Sequence, residues 1–198
     1  MSVLTAVNYK GEKMKLKDVI KLSAVYLGRE NVVNYLENLK TEDDTVLYAV
    51  DTLTRCANIT VSELASTFIP MIKKERVGTE NGKIYYTELT ETPLEIKNVY
   101  DSSGYKITFE INPEYVEVSG LEVFIEYVYL PTNYGISDSI GYTERQVPSR
   151  VIAYGVAAEF CLTERSFDES VMWRKRYTDA LSLILAPKNK RIKQRRFI

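Results

Sequence analysis

The spacing of apolar positions changes period twice along the chain. Leu16, Val19, Ile20, Ser23 and Leu27 recur every three to four residues, the interval of one helix face. Gly28 follows where a residue free to turn left-handed ends a helix. Val32, Tyr35, Leu36 and Leu39 predict a short second helix. Val46, Val50, Leu53, Ala57, Val61, Leu64 and Phe68 predict a long third one. Thr41, with Asp44 three residues on, is its expected N-cap. The β-branched run Ile59, Thr60 and Val61 is a place where that helix can break, and Pro70 ends it. Residues 1–11 carry no assignable pattern.

Between 71 and 130 the period shortens to that of strands. Asn81 and Gly82 form a turn signal between expected strands at 72–77 and 84–89, and 94–100 predicts a third strand. A fourth reads most clearly: Tyr105, Ile107, Phe109 and Ile111 alternate with Lys106, Thr108 and Glu110, which predicts one buried and one wet face. A short run at 115–118 and a last strand at 121–130 complete the set. Pro131 closes it, and 132–146 reads as a polar loop.

The helical period returns at Pro148, a residue suited to a first helical turn. Val151, Tyr154, Gly155, Ala158 and Leu162 lie at helical spacing, while Ile152, Val156 and Phe160 fill a second face, so this helix is expected to be covered by more than one neighbour. Ser166 and Glu169 stand as S-x-x-E, a capping box that restarts the chain as a helix. Trp173, Tyr177, Ala180, Leu181 and Ile184 form its stripe, and Pro187 ends it. The predicted fold class is α+β: N-terminal helices (12–68) and a C-terminal helical hairpin with its preceding loop (132–187) complete one helical bundle. An antiparallel β domain (69–131) is inserted between them, and a basic tail (188–198) extends from the end.

Composition narrows the function. The tail holds Lys188, Lys190, Arg191, Lys193, Arg195 and Arg196 and no acid, leaving 20 basic against 27 acidic residues in the rest, a body of net charge −7. Such a body argues against a main surface that grips nucleic acid. Fifteen tyrosines against six phenylalanines suit surfaces that become partly buried in contacts. Cys56 and Cys161 fall among apolar neighbours in predicted helices and read as buried reduced thiols. No run approaches the ~20 apolar residues of a membrane span, so no membrane partner is expected. Residues 1–10 lack signal-peptide form, so synthesis inside the cell is expected.

Candidate chemistry is sparse. The chain has no histidine, no cysteine pair at zinc spacing, no phosphate-cradling glycine loop and no nucleophile elbow. Glu110, Glu114, Glu117, Glu122 and Glu126 lie along the strands and read as a solvated sheet face rather than as a cation site. The expectation is a protein that is not an enzyme and carries no cofactor or metal. The tail, which ends in Phe197 and Ile198, admits three readings: a solvated terminus, a segment that folds on a partner with Phe197 as anchor, or a phosphate contact without sequence readout.

The stretches VEVSGLEVFIEYVYLP, VPSRVIAYGVAAEF, DESVMWRKRYTDALSLI and the closing RRFI resemble the head–tail connector proteins (adaptors, or head-completion neck rings) of tailed bacteriophages. A strand leaves through Tyr-x-x-x-Pro. A small-residue helix follows, with Tyr154, Gly155, Ala157, Ala158 and Glu159, and then a helix centred on Trp173 and Tyr177. Tyr154, Gly155, Ala158, Trp173 and Tyr177 are the expected packing residues of the hairpin. The resemblance implies a virion structural subunit, made in the host cytoplasm and placed at the capsid vertex. It would form a homo-oligomeric ring, commonly twelve-fold, that extends the DNA channel without binding packaged DNA specifically. Its tail, Lys188 through Phe197 and Ile198, would dock on the portal protein, and its other side would meet a downstream neck or tail protein. A tail-completion or terminator ring is the alternative, and a small nucleic-acid-binding module using the basic tail comes after it.

Overall fold

In the computed structural model, which describes residues 13–38 and 43–186, a three-residue strand, β1 (Lys13–Lys15), leads into α1 (Leu16–Tyr26). Leu16, Val19, Ile20 and Ser23 are buried as their spacing predicts, and Ala24 joins them. Gly28 takes φ +66°, which costs a residue without Cβ little, and the chain turns into α2 (Glu30–Asn38). In α3 (Asp44–Glu63) the cap is Asp43, whose carboxylate accepts from the Thr45 N–H at 2.9 Å. Thr41, the cap expected from the sequence, lies outside the described residues together with Leu39. The β-branched run does not break α3. The Thr60 hydroxyl instead donates to the Cys56 carbonyl at 2.9 Å, and the helix widens only at Leu64–Phe68, in a π-helical turn ahead of Pro70.

The β region divides into two sheets. β2 (Met71–Gly78) is followed by β3 (Lys83–Tyr85), β4 (Pro93–Tyr100), β5 (Lys106–Ile107), β6 (Phe109–Ile111), β7 (Tyr115–Val118) and β8 (Glu122–Tyr129). One antiparallel sheet has the order β2-β8-β4-β5 and the other β3-β7-β6. Between them Val99, Val123, Ile125 and Tyr127 meet Ile84, Val116 and Val118 in one buried cluster. Along β8 the two-residue period is plain: Val123, Ile125 and Tyr127 are buried, while Glu122 is exposed and Phe124 and Glu126 half-buried.

Two expectations fail here. The turn at Asn81 (φ 53°) and Gly82 (φ 76°) forms, but it joins its flanks by a single bridge, Glu80 to Lys83. β2 instead pairs with β8 over its full length, from Met71 opposite Tyr129 to Gly78 opposite Glu122, and 86–88 closes as a 3₁₀ turn instead of extending a strand. The alternating stretch 105–111 is also not one strand. It passes from the first sheet to the second at Thr108, leaving Tyr105 73% and Ile111 58% exposed. Alternation groups side chains on one face only while the strand stays in one sheet.

The stretch read as a polar loop contains β9 (Ser139–Thr143), which pairs with β1 and buries Ile140 and Tyr142. The Tyr142 hydroxyl donates to the Ile69 carbonyl at 2.6 Å. Five residues with Gly141 at the centre are too few for a legible period.

α4 (Ser149–Thr163) and α5 (Phe167–Leu185) form the expected hairpin, with Pro148 at the N-cap rather than in the first turn. The predicted capping box at Ser166 and Glu169 does not close. Arg165 takes φ 62°, and the N–H groups of Ser166 and Arg165 return to Cys161 (2.8 Å) and Leu162 (3.1 Å), so this short link serves to end α4. The Ser166 side chain makes no cap bond, and Glu169 accepts from Cys161 Sγ at 3.7 Å. Residues of α1 to α5 share one buried cluster with Met71, Ile140 and Tyr142, and Tyr129 packs on both this cluster and that of the sheets. Among the described residues the protein is therefore mixed α/β, with five α-helices and antiparallel sheets and no barrel.

Candidate functional site

The residues singled out in the C-terminal hairpin lie along the seam that it forms with α1 and α3, in two separate buried clusters. Gly155 lets α4 lie against α3 and α5: a Cβ there would stand 2.5 Å from Thr60 Cγ2 and 3.2 Å from Tyr177 Cε2. At the adjacent position of α4, Tyr154 stacks on Trp173 at 5.8 Å between ring centroids. Tyr26 of α1 completes a triad, 5.2 Å from Tyr154 and 5.5 Å from Trp173. Burial raises the Tyr26 pKa, with the neighbouring Tyr154 adding to it. The Arg176 guanidinium lies 4.8 Å from the Trp173 ring centroid, a cation–π contact at the rim. Ala158 is buried, and its carbonyl accepts from the Ser170 hydroxyl at 2.9 Å.

Charge closes the seam on its other flank. Arg174 of α5 reaches Glu63 of α3 with both oxygens in range, at 3.2 and 3.0 Å, and Glu159 of α4 at 2.8 Å. One guanidinium fork thus ties three helices, a geometry that arginine's planar donors favour. Tyr26, Thr60, Glu63 and Arg174 were not foreseen as partners. Their spacing marks them as core or surface positions of separate helices, and nothing local pairs them across the chain.

A second network fixes the stretch before β4 to the sheet. Tyr127 Oη donates to Glu75 at 2.7 Å, the Thr90 N–H donates to Glu75 at 3.0 Å, and the Thr90 hydroxyl bonds it as well. Burial pushes the Glu75 carboxyl up, but the bonds from Thr90 and Tyr127, aided by Lys73, outweigh it and hold the pKa below the ordinary carboxylate value. A depressed carboxylate contributes stability above its unfolded pKa and loses it as pH falls through the lower folded value. Tyr127→Phe should cost about 1–3 kcal/mol at neutral pH. It should also narrow the stability gap between neutral and acidic pH, and urea titrations at pH 7 and pH 3 check both.

The five glutamates of the β region do not share a face. Glu110 and Glu117 stand opposite each other on β6 and β7. Glu122 pairs with Arg76. Glu126 accepts from Asn98 at 2.6 Å and Tyr100 at 3.0 Å, which together hold its pKa low. Among the described residues no group of three or more His, Cys, Asp or Glu could hold a metal ion. Cys56 and Cys161 are free and buried, and burial pushes both thiols up to about 11. They are therefore uncharged at neutral pH and poor nucleophiles. No helix among the described residues is long and apolar enough to cross a membrane. The tail residues Lys188, Lys190, Arg191, Lys193, Arg195, Arg196, Phe197 and Ile198 lie outside the described residues.

No protein-family model matches the sequence, and none of the curated proteins matches it.

Proposed function

We propose that the chain is a virion structural protein, a head–tail connector subunit. In this reading copies assemble into a neck ring, the ring docks on the portal through residues 188–198, and it continues the DNA channel toward a downstream neck or tail protein. One observation supports it. Among the residues that carry the resemblance to connector proteins, Gly155 and Tyr177 pack where the C-terminal hairpin meets α3, and Tyr154, Ala158 and Trp173 pack with Tyr26 of α1. Residues of the helices on either side of the β region share one buried cluster, which is compatible with the layout expected of a connector. The net charge of −7 outside the tail suits a channel wall along which DNA slides.

Co-sedimentation with the portal ring from the same source tests the reading, using the full chain and a version truncated after Pro187. Saturable binding that is lost on truncation is the expected result. Binding that survives truncation would keep the connector and move its contact to the folded body. Absence of binding by either form at moderate salt would favour a tail-completion ring. Binding to DNA that falls steeply between low and moderate salt would favour the nucleic-acid module.

A further inference from the structure

A groove of ≈ 770 Å³ opens beside the last turn of α5, lined by Phe68, Ile69, Pro148, Leu183 and Leu185, with Arg145 at its edge. Its apolar wall is unusually open, with Leu183 78% and Leu185 45% exposed. Both termini of the described body meet it. Lys13 pairs with Thr143, which lines the groove, and Leu185 lines it one residue before the described chain ends at Ala186.

The chemistry of the two flanking segments separates them. Six of the first nine residues (Met1, Val3, Leu4, Ala6, Val7 and Tyr9) are apolar and none of the nine is charged. Residues 188–198 hold six basic groups and no acid, and laying them along an apolar wall would take charge out of water. Removing apolar surface from water favours the first segment. Reach allows it: the nine residues from Lys13 back to Leu4 span up to roughly 30 Å when extended. We propose that the groove is the docking site of the chain's own N-terminal segment, centred on residues 3–7. This goes beyond the connector reading and does not rest on it.

The full chain carrying Leu4→Cys and Leu183→Cys, exposed to oxidised glutathione, tests the contact directly, because the native Cys56 and Cys161 are buried. The expected product is an intrachain disulfide, seen as a monomer whose mobility changes on reduction. A covalent dimer would give the groove to a second copy, and no cross-link would leave the segment elsewhere; either overturns the proposal. Hydrogen exchange gives a second measurement that needs no cysteine. Deleting residues 1–9 should speed exchange of the amides at 183–186 by about tenfold, whereas removing 187–198 should not. Unchanged exchange on the first deletion, or acceleration on the second alone, would overturn it.

Discussion

Gly155→Val is expected to destabilise the fold by about 3 kcal/mol, the upper end of what overpacking a tight core costs. The Cβ position lies 2.5 Å from Thr60 Cγ2. That methyl cannot swing aside easily, because Thr60 is β-branched and its hydroxyl is bonded to the Cys56 carbonyl at 2.9 Å. Gly155→Ala is a weaker probe, since the ~1 kcal/mol of helix propensity gained over glycine offsets part of the clash. The identity of the clash is checked by a second change. Thr60→Ser removes Cγ2 and keeps the hydroxyl, so the double variant should recover a large share of the loss in chemical denaturation. If Thr60→Ser and Gly155→Val simply add, the contact between α3 and α4 is not what glycine protects.

Trp173→Ala should cost about 3–5 kcal/mol, the usual range for removing a buried indole. The buried residues of α5 are three, Trp173, Tyr177 and Leu181, so the change removes one of its few anchors together with both ring contacts to Tyr26 and Tyr154. The loss should fall unevenly. Amides of α5 should exchange faster than those of α3 under conditions where the whole molecule remains folded. Trp173→Phe keeps an aromatic face toward Tyr26 and Tyr154 and should cost markedly less. In the connector reading α5 also carries the base of the portal-binding tail, so Trp173→Ala should weaken portal co-sedimentation with every tail residue intact.

The parts of this architecture that the sequence discloses are those whose signal spans several turns. Val46 through Leu64 repeats often enough to mark α3 regardless of its partners, and the stripe from Trp173 to Ile184 does the same for α5. Short elements escape. β1 and β9 hold three and five residues, and their pairing joins Lys13 to Thr143 across most of the chain. Local chemistry can also be claimed by a competing role. Ser166 has the right side chain for a cap, yet its backbone is committed to closing α4. Asn81 and Gly82 turn as expected, but the eight-residue match to β8 takes β2 away from β3. The candidate seam was legible as a set of packing residues, while Tyr26, Thr60 and the Arg174 fork needed three dimensions.

The pairing of Met71 with Tyr129 has a modular consequence. The first residue of β2 and the last of β8 are cross-strand neighbours, so everything between them leaves the helices and returns to them at one place. Seen from the helices, the stretch is a cassette on a two-strand stem. Exchanging it for a two-residue turn would change the closure entropy by only about 3 kcal/mol, because that cost grows with the logarithm of loop length. Sheets of different length could thus be mounted on the same helical platform without repositioning it, provided that Met71, Tyr129 and the bare edge of Gly141 beneath them are kept.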